Sequence, residues 1–98
     1  MLHIINKSPL ENGSLDNCLR VANGGEILLI EDAVYAATKG NAFESKLGEA
    51  ATRFKIYVLQ PDLDARGMSD RIIAGVTAVD YGGFVDLTVN NKNCQSWL

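Results

Sequence analysis

The run EILLIED at residues 26–32 is the feature that most constrains the fold of this chain. Four consecutive apolar residues end at the adjacent carboxylates of Glu31 and Asp32, and helix-forming residues follow directly. A short apolar run of this kind is typical of a strand buried on both faces of a parallel sheet. Ligands and partners of such sheets usually lie at the carboxyl ends of the strands, so we expect Glu31 and Asp32 to mark the edge of interest.

Strands and helices are predicted to alternate along the whole chain. Ser14 is expected to cap a first helix in which Leu15, Cys18, Leu19 and Ala22 share one buried face. Further strands are predicted at residues 2–5, 54–59 and 75–79, and further helical segments at residues 32–37, 42–52, 61–67 and 81–89. This alternation predicts right-handed βαβ crossovers, hence a small three-layer α/β domain with a parallel sheet of about four strands.

The last of these helices is predicted to follow Asp80, which lies at the carboxyl end of the fourth strand. Apolar spacing in this helix predicts that Phe84, Val85 and either Leu87 or Thr88 are buried. A layered domain of this size often leaves a helix face or a sheet edge uncovered, so self-association or assembly with related chains is expected.

Length and charge limit the classes of protein to which the chain can belong. Its 98 residues support one domain, residues 1–98. The net charge is -3 and the nine basic residues are scattered singly, which argues against direct nucleic-acid binding. No apolar run approaches the roughly 18 residues of a membrane span, and the N-terminus lacks signal-peptide character. We therefore expect a cytoplasmic protein without a membrane partner.

The two cysteines, Cys18 and Cys94, form no CxxC pair and are expected to be free thiols. Two interpretations of Cys18 stay open. It can pack in the core as a small hydrophobe. Alternatively, its position one turn into a helix, with Lys7 and Arg20 as conceivable cationic neighbours, would suit a reactive persulfide carrier. Cys94 lies in a polar tail without an activating neighbour and is taken as incidental.

The remaining candidate groups favour structural roles. His3 is the only histidine, which removes metal sites built from several imidazoles and favours a structural or interface role. Glu31 and Asp32, joined by Asp80, could bind a cation, although a solvated capping cluster is favoured. Trp97 and Leu98 are expected to dock against the body or a partner. No cofactor or metal site is predicted.

Five segments together resemble the DsrH/TusB family over nearly the whole chain. They are LHIINKSP (residues 2–9), LIEDAVYAA (29–37), YVLQPDLDARG (57–67), VDYGGFVDLT (79–88) and QSWL (95–98). The segment SLDNCL at residues 14–19 resembles the first helix of DsrH, which carries a cysteine that many TusB chains lack. The sequence is therefore placed closer to DsrH.

The resemblance implies a subunit of a cytoplasmic sulfur-relay complex. In such complexes a DsrE/TusD-like, a DsrF/TusC-like and a DsrH/TusB-like chain assemble as a heterohexamer. The principal persulfide cysteine belongs to the DsrE/TusD-like chain, and sulfur passes to a DsrC/TusE-like carrier. The pathway serves either sulfur oxidation or 2-thiolation of the wobble uridine in transfer RNA.

Three functions follow as hypotheses. We favour an accessory subunit without independent sulfurtransferase activity, which completes the hexamer. The alternative is that Cys18 itself carries persulfide sulfur, because it matches the DsrH cysteine position. A third hypothesis is a monomer that binds a small molecule at the edge marked by Glu31 and Asp32.

Overall fold

A computed structural model describes residues 1–97 of the chain, and its fold is α/β with five parallel strands in those residues. The strands are β1 (Leu2–Ile5), β2 (Gly25–Leu29), β3 (Phe54–Leu59), β4 (Val76–Val79) and β5 (Cys94–Trp97). The helices are α1 (Ser14–Val21), the 3₁₀ helix η1 (Glu31–Ala37), α2 (Glu44–Ala50), α3 (Gln60–Ala65) and α4 (Tyr81–Asn90). The predicted fold class is confirmed, with one strand more than expected. None of the helices in residues 1–97 has both the length and the apolar character needed to cross a membrane.

The order of the strands, β4-β3-β2-β1-β5, determines which face each helix covers. The first three crossovers step in the same direction along the sheet, and right-handed crossovers therefore place α1, η1, α2 and α3 on one face. The connection from β4 to β5 passes back across the whole sheet, so α4 lies on the opposite face. The result is a three-layer domain with four helical segments on one side and a single helix on the other.

The two faces are buried to different extents. The larger core cluster lies under the four helical segments and includes the fully buried Leu15, Ile27 and Val58. The smaller cluster, under α4, has three buried members, Leu2, Leu28 and Leu87. Its neighbours at the sheet are only half-buried: Ile4, Tyr57 and Val79 in the strands, and Ile30 just after β2. Five strands span roughly 24 Å and one helix covers about 10 Å, so α4 is too narrow to cover this face.

Helix α1 begins close to the predicted position. Gly13 is the N-cap residue and Ser14 is the first helical residue, so the predicted cap at Ser14 is wrong by one position. The reason is that the first hydrogen bond of the helix runs from the Asn17 amide to the Gly13 carbonyl at 2.9 Å, which makes Gly13 the N-cap residue. Leu15, Cys18 and Leu19 are buried as the helical spacing predicts.

Helix α4 is attached to the sheet at both ends. At its start, Asp80 is the N-cap residue and its Oδ1 accepts a hydrogen bond from the Gly83 amide at 2.8 Å. At its end, the Asn91 side chain donates to Glu26 Oε1 at 2.7 Å and to the Leu87 carbonyl at 2.8 Å. Burial, reinforced by a hydrogen bond with Glu26, raises the pKa of Tyr57. These contacts fix the position of α4 across the sheet.

The predicted buried face of α4 is partly wrong. Leu87 is buried, and Phe84 and Thr88 are half-buried, but Val85 is 57% exposed. Residues two positions apart in a helix differ by about 200° in direction, so Val85 points away from the sheet when Leu87 points toward it.

The fifth strand forms from the segment predicted as a polar tail. β5 pairs with β1 from Leu2 opposite Cys94 to Ile5 opposite Trp97. Its first three residues are exposed and two of them are polar, so the segment lacks the apolar composition that indicates a strand. Trp97 is half-buried and packs against the larger core cluster, whereas Leu98 lies outside the described residues.

Two glycine substitutions test how closely α4 packs on the sheet. A Cβ at Gly83 would lie 2.8 Å from the Val79 Cβ, so we expect Gly83→Ala to destabilise the fold by about 1–3 kcal/mol. Gly48 lies exposed in α2, where a Cβ meets nothing within 4 Å, so Gly48→Ala should stabilise by about 0.5–1 kcal/mol. Urea unfolding of both variants measures these changes. Equal effects at the two positions would contradict the close packing of α4.

Candidate functional site

The carboxyl edge of the sheet holds the predicted pair of acids in two different settings. Glu31 begins η1 with a φ of 51°, a left-handed conformation that is uncommon for a residue other than glycine. Its backbone amide donates to Asp62 Oδ2 at 2.6 Å. Asp62 lies in the first turn of α3, and this hydrogen bond stabilises the left-handed conformation of Glu31. The Glu31 side chain is exposed.

Asp32 is paired with a cation. Arg66 donates to Asp32 Oδ1 from Nε at 3.1 Å and from Nη2 at 2.9 Å. Its Nη1 donates to the Asp62 carbonyl at 3.1 Å, so one guanidinium bridges η1 and α3. The Asp32 carboxylate is 60% exposed, and the ion pair therefore contributes little net stability while it neutralises the charge.

Asp80 does not join these acids. β3 separates β4 from β2, so the carboxyl ends of those two strands are roughly 10 Å apart. Within residues 1–97, His, Cys, Asp and Glu side chains form no group of three or more that could hold a metal ion. The predicted capping role applies to Asp80, whereas Asp32 lies inside η1 after the N-cap residue Ile30.

A shallow depression of about 370 Å³ lies beside Asp32, between η1 and the loop that follows β1. Its lining residues are Ser8, Leu10, Glu11, Asp32 and Tyr35. The only charged side chains among them are the two carboxylates of Glu11 and Asp32. The depression therefore lacks a cationic group that would receive an anionic substrate.

Cys18 is fully buried inside the larger core cluster. Burial raises the pKa of its thiol to about 11, the opposite of the shift that favours a thiolate. Arg20, one of the cations considered for activating it, donates instead to Asn17 Oδ1 at 2.8 Å on the exposed side of α1. The described geometry thus keeps the Cys18 thiol protonated and out of contact with solvent.

Cys94 is the exposed cysteine of the pair. It begins the edge strand β5 and lies opposite Leu2, on the sheet face that α4 partly covers. The structure therefore places the two thiols on opposite faces of the sheet.

His3 fastens β5 to the body of the domain. The residue is 5% exposed, and its Nδ1 accepts a hydrogen bond from the Trp97 indole Nε1 at 3.2 Å. The ring also meets Phe54 edge-on at a centroid distance of 6.3 Å. Burial lowers the pKa of His3 and the nearby N-terminal ammonium adds to this effect, although a hydrogen bond with the Gly24 backbone opposes it. His3 is thus a neutral structural residue that links β1 to the C-terminal strand.

This histidine predicts a dependence of stability on pH. Because its pKa is lowered in the folded state from the usual 6.5, the unfolded chain binds the proton more readily below that pH. We therefore expect stability to be constant above about pH 6.5 as far as His3 is concerned, and to fall on acidification until the folded-state pKa is passed.

The comparison of the wild-type chain with His3→Asn isolates this contribution, since Asn keeps an acceptor but does not titrate. Melting temperatures between pH 8 and pH 5 should fall more in the wild type. Fluorescence of Trp97, the only tryptophan, reports whether β5 detaches with the loss of stability. Parallel pH profiles for both proteins would show that His3 does not contribute.

The outer side of α4 exposes a row of apolar residues, of which only Val85 is named from the sequence, as a residue expected to be buried. Tyr81, Val85 and Val89 are 61%, 57% and 75% exposed, and their spacing of four residues places them on one side of the helix. We call these three residues the α4 stripe. The signal was present in the sequence, because residues 81–90 contain one charged residue, Asp86, and no basic one. An isolated surface helix would carry a polar outer face.

Fold and side chains together define the class of this chain: a small parallel α/β domain whose thinly covered sheet face carries an exposed apolar helix. The family model described as "DsrH like protein" matches residues 7–94. The chain belongs to this DsrH-like family, as its resemblance to the DsrH/TusB family predicted.

Curated relatives and solved structures agree with this assignment. Protein TusB of Escherichia coli O81 (strain ED1a) is 36% identical over 97 residues, which cover 99% of this chain and all of the relative. Protein TusB of Pectobacterium parmentieri is 39% identical over 98 residues, with the same coverage. The fold resembles the crystal structure of the ychN protein from E. coli, with a TM-score of 0.80, 22% identity and 97% of each chain covered. Protein MTH1491 from Methanobacterium thermoautotrophicum has a TM-score of 0.71 at 16% identity, covering 97% of this chain and 95% of that one.

Proposed function

We propose that this chain is an accessory subunit of a cytoplasmic sulfur-relay complex. Its sister subunits would be DsrE/TusD-like and DsrF/TusC-like chains in a heterohexamer, and the complex would pass persulfide sulfur to a DsrC/TusE-like carrier. Membership of the DsrH-like family and full-length similarity to TusB proteins support the proposal.

The burial of Cys18 is the observation that carries the accessory role. A sulfur carrier needs a thiolate that a donor and an acceptor can both approach. Cys18 has no exposed surface and its pKa is raised to about 11. The persulfide-bearing group would therefore come from a sister chain, and this subunit would support it.

The coverage of the sheet supports an assembled state. The α4 stripe is exposed, and the sheet residues beside α4 are only half-buried. A stable monomer would gain little from an apolar outer face on this helix, whereas a subunit gains an interface.

We favour 2-thiolation of the wobble uridine in transfer RNA as the pathway. The curated relatives are TusB proteins, and the resemblance links the TusB branch to this modification. The chain would act without touching the RNA, since its nine basic residues are scattered singly through the sequence. Sulfur oxidation, the DsrH role, is the second candidate and rests on the cysteine at position 18.

Two measurements test the assembly and the pathway. Co-expression with the two sister chains should give a complex whose native mass corresponds to two copies of each subunit. Deletion of the gene should remove 2-thiouridine from transfer RNA digests, measured by mass spectrometry, and the wild-type gene should restore it. A chain that stays apart from both sisters, or a deletion without effect on 2-thiouridine, would contradict the respective part of the proposal.

The alternative mechanism, with Cys18 as a carrier, has a defined chemistry. The Cys18 thiolate would attack the outer sulfur of a donor persulfide, form a Cys18 persulfide and release the donor thiolate. This step requires α1 to expose a side chain that is now fully buried.

Removal of the thiol separates the two mechanisms. We expect Cys18→Ala to leave the rate of sulfur transfer in the reconstituted complex unchanged, while it lowers the stability of the chain by about 1–2 kcal/mol through loss of a buried group. Cys94→Ala, at the exposed cysteine, is the matched control and should change neither quantity. Loss of transfer in an intact complex of the Cys18→Ala chain would establish the carrier mechanism instead.

A further inference from the structure

We infer that the α4 stripe is the surface on which a sister subunit docks an apolar surface that carries a Lys or Arg opposite Asp86. The inference rests on the proposed function and specifies both the surface of this chain and the chemistry of its occupant.

The position of α4 makes its outer face available. The helix is the single element on its side of the sheet in residues 1–97, so its outer side contacts no further layer. Asp80 and Gly83 fix its start, and Asn91 fixes its end against Glu26. The stripe is therefore held on a rigid support.

The size of the stripe argues against a second copy of this chain as the occupant. One Tyr and two Val with these exposed fractions present at most roughly 400 Å², since an aromatic side chain measures about 150–250 Å² and a Val side chain less. Pairing of two stripes would bury roughly 800 Å² in total, which is below the 1,200 Å² or so of a stable interface. An occupant that also covers the half-buried residues beside α4, such as Ile4 in β1 and Ile30 just after β2, would bury more.

The charge of α4 also argues against a second copy of this chain as the occupant. Asp86 is exposed beside the stripe, and α4 has no basic residue to compensate for it. Two copies packed through α4 would place Asp86 close to its equivalent, and like charges oppose association. A related chain with a basic residue at the corresponding place would satisfy the carboxylate and fix the orientation of docking.

Substitutions on the outer side of α4 test the inference in the three-chain complex. We expect Val85→Asp with Val89→Asp to weaken binding to the sister chains by about 100-fold or more, because each buried carboxylate would lack a partner. The melting temperature of the isolated variant should match the wild type, since both positions are exposed. Val21→Asp is the matched control: Val21 is 65% exposed at the end of α1, on the opposite side of the sheet.

A charge reversal tests the nature of the occupant. Asp86→Lys should slow association with the sister chains by about tenfold at low salt and by less at high salt. Asp70→Lys, at an exposed position in the loop after α3, should have no such effect.

The outcomes separate this inference from the proposed function. If the wild-type chain does not bind the sister chains at all, the proposed function fails. If the wild type assembles and the Val85→Asp, Val89→Asp variant assembles equally well, docking occurs elsewhere and only the inference fails. A homodimer of the wild-type chain that these substitutions dissociate would also overturn it, because the occupant would be a second copy.

Discussion

The handedness of the crossovers is the constraint on which the rest of this structure depends. Three right-handed steps in one direction put α1, η1, α2 and α3 on the same face, and the return to β5 puts α4 alone on the other. One face thereby becomes a closed core and the other remains open. The properties of the thiols, of the carboxyl edge and of α4 follow from this asymmetry.

The closed face removes reactive character from the groups it contains. Cys18 loses its contact with water because α1 packs directly onto the sheet, and desolvation then outweighs any favourable effect of its place near the start of a helix. At the carboxyl edge, Asp32 forms an ion pair with Arg66, and Asp62 accepts a hydrogen bond from the Glu31 amide. In residues 1–97, the α4 stripe remains as an exposed row of apolar side chains on the thinly covered face.

The sequence predicted the fold well because alternating apolar strands and helices leave few topologies open. The third strand was predicted with the bounds that the structure shows, Phe54–Leu59, since β-branched and aromatic residues fill it. The fifth strand was not predicted, because an edge strand with exposed Gln95 and Ser96 lacks that composition. The sequence allows two interpretations of Cys18 for a related reason. Helical spacing shows the direction of a side chain but not whether another layer covers it.

The open face explains a conflict within α4 that periodicity alone cannot resolve. A helix that places Leu87 against the sheet ordinarily carries polar residues at positions 85 and 89. Polar residues there would make an isolated domain more soluble. Apolar residues there are costly for a monomer because they favour non-specific association. The same residues on a helix held by Asp80, Gly83 and Asn91 need little ordering when a partner binds, so the surface loses little conformational entropy on association. The rigid support therefore lowers the entropic cost of docking at the α4 stripe, as the inferred interface requires.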